Sequence, residues 1–235
     1  MLKGGSNAEI ARSAQNAKFG ARILDMAHRL AELSETASGL TCTFFSPAHQ
    51  ATASQLREWM HSAGLRVEID VIGNVIGRYQ SPVTAAKAVI IGSHYDTVAN
   101  AGQFDGRLGI LTGIIVTEHL HRLGWRLPFD VDVVAFAEEE GVRFSAPYLG
   151  SSAIAGRFEE ATLQRRDGNG IRLAEVLGHN GFTAVQSLAR PKETLRGYLE
   201  VHIEQGPVLL QRDLPVGSCG HCPDAAAARR RRRSR

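Results

Sequence analysis

Three short stretches of this 235-residue chain carry side chains that bind metal ions or move protons, and each directly follows an apolar run. In the first, His94 is followed two residues later by Asp96 and, after eight more residues, by Asp105-Gly106. A liganding imidazole needs its second nitrogen held by an acceptor that fixes the tautomer, and a carboxylate two positions on suits that task. In the second, Glu138-Glu139-Glu140 ends the apolar run 131–137. Neighbouring carboxylates in a confined site repel and shift one another's pKa, a cost that a divalent cation removes, leaving one of them free to act as general base. The third is His202 with Glu204 and Gln205. Alone, each has an ordinary reading: a loop histidine, a solvated acidic face, a histidine on a surface strand. Together His94, Asp105, a glutamate and His202 make the nitrogen and oxygen ligand set of a hydrolytic zinc or manganese site, and a shared Asp suggests two ions.

The elements that must position these groups are legible in the periodicity. Residues 7–32 carry apolar positions at Ile10, Phe19, Ile23, Met26, Ala27 and Leu30, the pattern of an amphipathic helix. Ser46-Pro47 is an N-cap and first-turn pair, predicting a second helix to Gly64 with Ala51, Leu56 and Met60 inward. Residues 66–71 alternate, Gly73-Asn74 turns and 75–79 return, which reads as a hairpin or short meander. A buried strand at 88–91 runs into His94, a helix at 108–123 follows on the apolar spacing of Leu108, Leu111, Ile115, Leu120 and Leu123 with Gly124 as its stop, and a second buried strand at 131–137 runs into the glutamates. Short helices are expected at 149–155 and 171–177, and a strand at 198–203 carrying His202 and Glu204. Strand, helix, strand with reactive groups at the strand ends predicts an α/β fold with a largely parallel sheet, whose ligands gather at the carboxyl ends of the strands.

Composition narrows the class. With 43% hydrophobic and 22% charged residues the chain is neither disordered nor fibrous, and its length buries a core without staples, so a metal would serve chemistry. The net charge of +3 misleads: six of the basic residues are Arg229–Arg233 and Arg235, and removing them leaves −3. The three cysteines, Cys42, Cys219 and Cys222, do not form a secreted disulfide framework. No stretch reads as a leader or membrane span, so the expected location is cytoplasmic. Cys219-Gly220-His221-Cys222 has disulfide-exchange spacing but lacks the strand-to-helix setting such motifs need, and the arginine run alone supports only weak, salt-sensitive phosphate contacts. Neither a membrane nor a specific nucleic acid is expected as a partner.

Four ordered motifs then resemble a known family: Gly92-Ser93-His94-Tyr95-Asp96-Thr97-Val98, Phe104-Asp105-Gly106-Arg107-Leu108-Gly109, Ala137-Glu138-Glu139-Glu140-Gly141-Val142-Arg143-Phe144, and residues 199–209 around Val201-His202-Ile203-Glu204-Gln205-Gly206-Pro207. They resemble the N-carbamoyl-L-amino-acid and allantoate amidohydrolases, part of the larger group of two-metal aminoacylases and zinc carboxypeptidases. The resemblance covers about residues 15–216, with Tyr95 and Arg107-Leu108-Gly109-Ile110 leaning toward the allantoate branch. It implies a three-layer α/β sandwich with a mixed, largely parallel central sheet, and a small ureido substrate cleaved at a C–N bond with release of ammonia. It implies two divalent ions, Zn or Mn, held by His94, Asp105, Glu140 and His202, with Asp105 bridging. It also implies Asp96 as the carboxylate orienting His94, Glu139 as general base and Gln205 near the substrate amide, with Glu138 outside the ligand set.

Relatives of this kind continue for about as much chain again, inserting a smaller domain that dimerises and closes over the substrate. They then return with further strands and a last histidine for the second ion. The expectation is therefore a catalytic metal-binding portion at 1–217, a disordered Cys/Ala/Arg tail at 218–235 and no dimerisation or lid domain. Two outcomes follow for the chain itself: an amidohydrolase, or an inactive fragment of that family retaining at most partial metal binding. Uncovered apolar surface is expected at the strand 131–137 and at the strand near Tyr198.

Overall fold

The Ser46 hydroxyl accepts the His49 N–H at 3.1 Å, and Pro47, with no N–H to leave unpaired, opens the helix behind it. A computed structural model describes residues 7–178 and 181–218. Helices α1 (Asn7–Ala31), α2 (Pro47–Ser62) and α3 (Arg107–Arg122) accompany a sheet of β1 (Arg66–Ile69), β2 (Val75–Tyr79), β3 (Ala88–His94), β4 (Asp130–Phe136) and β5 (Leu195–Leu199). Farther along lie α4 (Leu149–Ile154), α5 (Leu173–Leu177) and α6 (Gly181–Gln186), with 3-10 turns at Glu160–Gln164 and Lys192–Thr194.

The strand order is β1-β2-β4-β3-β5. The hairpin pairs Ile69 with Val75 and joins β4 antiparallel through β2, whereas β4, β3 and β5 run parallel. Alternation splits β4 between two apolar layers. Val131, Val133 and Ala135 meet Leu56 and Met60 of α2 and Ile110 and Ile114 of α3, while Val134 and Phe136 meet Ile76, Ile90 and Ile154 on the other face. This is the three-layer α/β sandwich with a mixed sheet. Because β4, β3 and β5 are parallel, their carboxyl ends emerge at one edge, delivering Glu138–Glu140, His94 and the residues after Leu199 to the same place.

Some expectations are corrected. Ala51 is exposed, and Thr52 and Ala53 take the inward positions of α2. Helix α3 ends at Arg122, with Leu123 as its exposed cap before Gly124. Residues 131–137 do not form an uncovered surface: β4 lies second from neither edge but in the middle, with β2 and β3 as neighbours, and is buried along its length. The last strand starts three residues earlier than its apolar alternation implies and ends at Leu199, so His202 follows the strand rather than riding on it. As expected near Tyr198, β5 is the outer strand and largely exposed.

Residues from Glu204 onward form a separate unit. In its described part the Glu204 carboxylate accepts the N–H groups of Val208 and Leu209 at 3.0 and 2.8 Å, starting the one-turn helix α7 (Val208–Gln211). The tail with Cys219, Cys222 and the arginines lies outside the described residues. Among those described, no helix is long and apolar enough to cross a membrane.

Candidate metal centre

His94, the last residue of β3, is buried, and its Nε2 stands 3.9 Å from Asp105 Oδ1 and 3.9 Å from Glu139 Oε2. His202 brings its Nε2 to 3.4 Å from that of His94 and 3.3 Å from Asp105 Oδ1. The two imidazoles stack with ring centres 5.6 Å apart. Two groups of three thus have donor atoms within 4.8 Å of one another: His94, Asp105 and His202, and His94, Glu139 and Glu140. Residues 108 positions apart meet because β3 and β5 run parallel and send the chain beyond Leu199 toward the edge where His94 ends β3. The residue common to both groups is His94, where the resemblance puts Asp105; Asp105 still lies close enough for its charge to raise the Glu140 pKa.

Asp96 divides its duties. The His94 Nδ1 donates to the Asp96 backbone carbonyl at 3.0 Å, while the Asp96 carboxylate is 3.9 Å from that nitrogen. Its two oxygens instead accept the backbone N–H groups of Glu139 and Glu140, at 3.0 and 3.1 Å. The carboxylate therefore fixes the acidic turn, and the peptide oxygen fixes the imidazole. Burial raises the Asp96 pKa against the pull of His94 and these two amides. Glu139 and Glu140 are likewise pushed up, first by burial, with His94 acting in the opposite direction.

The first glutamate turns inward. Glu138 has φ +53° and is fully buried; its Oε1 accepts the N–H groups of Arg143 and Phe144 at 3.1 and 3.4 Å, and burial pushes its pKa up to about 8. The turn is held from behind by Asn74, whose Oδ1 accepts the Ala137 N–H at 3.0 Å and whose Nδ2 donates to the Gly150 carbonyl at 3.1 Å. Gly106 lets the loop pass the ligand: it has φ +66°, and a Cβ there would strike the His94 ring and carbonyl. Arg107, fully buried, donates from Nε to the Tyr95 carbonyl at 3.2 Å and from Nη1 to the Leu30 carbonyl at 2.8 Å, tying the loop between His94 and Asp96 to the end of α1. Sequence reasoning missed Asn74 and Arg107 as supports. The Gly73-Asn74 turn and the motif position of Arg107 are visible in the chain, but their partners lie far away in it. Tyr95 faces away, its hydroxyl donating to the Gly73 carbonyl at 2.6 Å. Glu204 and Gln205 belong to the separate unit that begins at Glu204, and Glu204 caps α7 there.

The donor set fits a divalent cation on proton positions alone. His94 Nδ1 faces the Asp96 carbonyl and His202 Nδ1 faces the Ile203 carbonyl at 2.9 Å; a carbonyl only accepts, so each Nδ1 holds the hydrogen. In each neutral ring the lone pair is then on Nε2, and these two lone pairs converge with a carboxylate oxygen at 3.3–3.9 Å. With both rings neutral, such lone pairs would repel, and a cation among them would reverse the sign.

The chain is similar to several known proteins. A protein 42% identical over 196 residues, allantoate deiminase 2 of Glycine max, is matched over 81% of this chain and 41% of its own length. The N-carbamoyl-L-amino acid amidohydrolase of Geobacillus stearothermophilus is 39% identical over 80% of this chain and 48% of its own. The crystal structure of a hydantoinase/carbamoylase family amidase from Burkholderia ambifaria superposes with a TM-score of 0.74 at 31% identity, covering 83% of this chain and 47% of that one. The chain thus spans less than half the length of these relatives. The profile of Peptidase family M20/M25/M40 matches residues 90–221, more than half of the chain and all four motifs, and the chain belongs to that family.

Proposed function

We propose that this chain carries the metal-binding part of an amidohydrolase that cleaves a ureido or carbamoyl C–N bond, of allantoate or an N-carbamoyl-L-amino acid, releasing ammonia. The observation that carries the reading is the convergence of the His94 and His202 Nε2 lone pairs on Asp105, with tautomers set by backbone carbonyls. His94, Asp105 and His202 would hold one divalent ion, Zn or Mn, and Glu140 would contribute to a second, with Asp105 between them as the resemblance implies. When bound, such ions polarise a carbonyl and make water more acidic. Glu139 is assigned the proton: its carboxylate takes one from the attacking water as the new C–O bond forms, and delivers it to the nitrogen that leaves as the C–N bond breaks. Its raised pKa suits that exchange better than an exposed glutamate's. Asp96 keeps Glu139 and Glu140 in register through their amides, and Gln205 is assigned to the substrate amide on its motif position alone.

The test is ammonia release from allantoate and from N-carbamoyl-L-amino acids by the zinc- or manganese-loaded protein. A chelator should abolish it, and Glu139→Gln should lower it on the order of 100-fold. A metal-loaded protein that releases no ammonia from either substrate overturns the reading. That same result would instead support a second reading, metal binding without turnover.

A further inference from the structure

The ladder between β3 and β5 ends at Ile91 and Leu199. Beyond it β3 continues through Gly92 and Ser93 to His94, while the other chain leaves the sheet three residues short of His202. Main-chain pairing with β3 therefore does not carry His202 to the site. One side chain bridges this gap. Glu200, the first residue after the strand, accepts the Ser93 hydroxyl on Oε1 at 2.7 Å and the Tyr198 hydroxyl on Oε2 at 2.7 Å. The Tyr198 oxygen also lies 3.1 Å from the Gly92 carbonyl. Hydroxyl-to-carboxylate bonds of this length are charge-assisted and among the stronger ones available. Ser93 is buried, and Glu200 is the side chain that accepts from its hydroxyl.

The opposite side of the segment is closed by contact. At Gly109 a Cβ would strike the Val201 carbonyl oxygen and come within 2.8 Å of the Ser93 Cβ, so the stretch before His202 lies directly on the first turn of α3. The segment thus has the first turn of α3 on one side and the Glu200 clasp on the other. Ser93 adjoins His94, and Glu200 stands two residues before His202. The clasp therefore fixes the two ligand-bearing segments relative to each other.

We propose that Glu200 is a positioning residue that holds His202 against His94 and Asp105 through the Ser93 and Tyr198 hydroxyls. It acts through His202 and touches no cation itself; the inference rests on the metal-centre reading above. The test is zinc affinity of the full 235-residue chain, measured by competition with a chromophoric chelator. Glu200→Ala should bind zinc roughly 10- to 100-fold more weakly, as removal of a group that orients a ligand does. Ser93→Ala, which removes the other end of the clasp with little change of shape, should weaken it in the same direction, so the idea stays testable if Glu200→Ala misfolds. Glu200→Gln, which still accepts from Ser93, should recover most of the loss. In a His202→Ala background the further Glu200→Ala change should cost less than about threefold, because the residue it positions is gone. Native affinity in both Glu200→Ala and Ser93→Ala, or an undiminished loss in the His202→Ala background, overturns the proposal. If His202→Ala itself binds zinc like the native chain, the metal-centre reading fails instead.

Discussion

Asp132 and Glu139 stand on the same strand and its continuation, yet their surroundings differ in kind. Asp132, in the middle of β4, is fully buried; its carboxylate takes Arg78 Nε and Nη2 at 2.8 Å each and is also bonded by Arg190 Nη1. Its lone pairs are spent on guanidinium groups of the same chain. Seven residues on, Glu139 faces the His94 imidazole, whose Nε2 is 3.9 Å from its Oε2, and its fellow carboxylates Glu140 and Asp96. An acid answered by arginine closes its chemistry inside the fold. Acids facing imidazole lone pairs leave theirs open to a cation and a substrate. The contrast turns on donors: guanidinium brings hydrogens, whereas the two Nε2 atoms bring more electron pairs.

The largest effect that would test this contrast is on stability. Asp132→Ala leaves Arg78 and Arg190 without their buried partner and should cost about 3 kcal/mol by urea unfolding, toward the low end for a broken buried pair because Arg78 reaches solvent. Zinc affinity per folded molecule should hardly move; a large loss would mean that the two clusters are not separable. His94→Ala should do the reverse, lowering zinc affinity more than about 100-fold, since His94 belongs to both donor groups, while leaving the urea midpoint of the chelator-treated protein nearly unchanged. Asp96→Asn retains the backbone carbonyl that holds His94 but accepts only one of the two amides, so about a tenfold loss of zinc affinity is expected. A loss as large as that of His94→Ala would show that the carboxylate does more than shape the acidic turn.

The smallest effect concerns Glu138, a third fate within the same run. Its pKa in the folded chain is about 8, above the ordinary 4.5, so the folded state keeps a proton that the unfolded chain releases. Stability from this group is therefore complete below about pH 4.5, declines as the pH rises toward 8, and changes no further above it. Glu138→Gln keeps an acceptor for the Arg143 and Phe144 amides and removes the titration. Between pH 5 and pH 8, in chelator, its unfolding free energy should fall less than the native protein's. Equal slopes would place the ionisation elsewhere, for example at Asp70, which burial raises to about 6.

The site was legible in the chain wherever a polar group follows an apolar run, because a buried strand must end at the sheet's edge and parallel strands end together. That logic located His94 and the glutamates from local pattern alone. It misplaced β5, since Leu199, Val201 and Ile203 continue the alternation of a strand while pairing stops at Leu199. Nor does pattern distinguish three consecutive glutamates: Glu138 turns inward only because the backbone takes φ +53° there, with Asn74 and Gly150 packed behind. The divided role of Asp96 was equally hidden, because the partners of its carboxylate lie 43 and 44 positions away. Glu204 shares a motif with His202, but its oxygens go to the backbone of α7.

The side chains of the cluster grade from inside to outside: His94 is 4% exposed, Asp105 15%, His202 28% and Glu139 33%. Exchange of any cation held there consequently has a direction. A cation bound there would meet Glu139 and His202 nearest the solvent and His94 deepest. Residence time is then set by how firmly the outer imidazole is seated, and a change that loosens His202 should speed metal loss more than it slows capture.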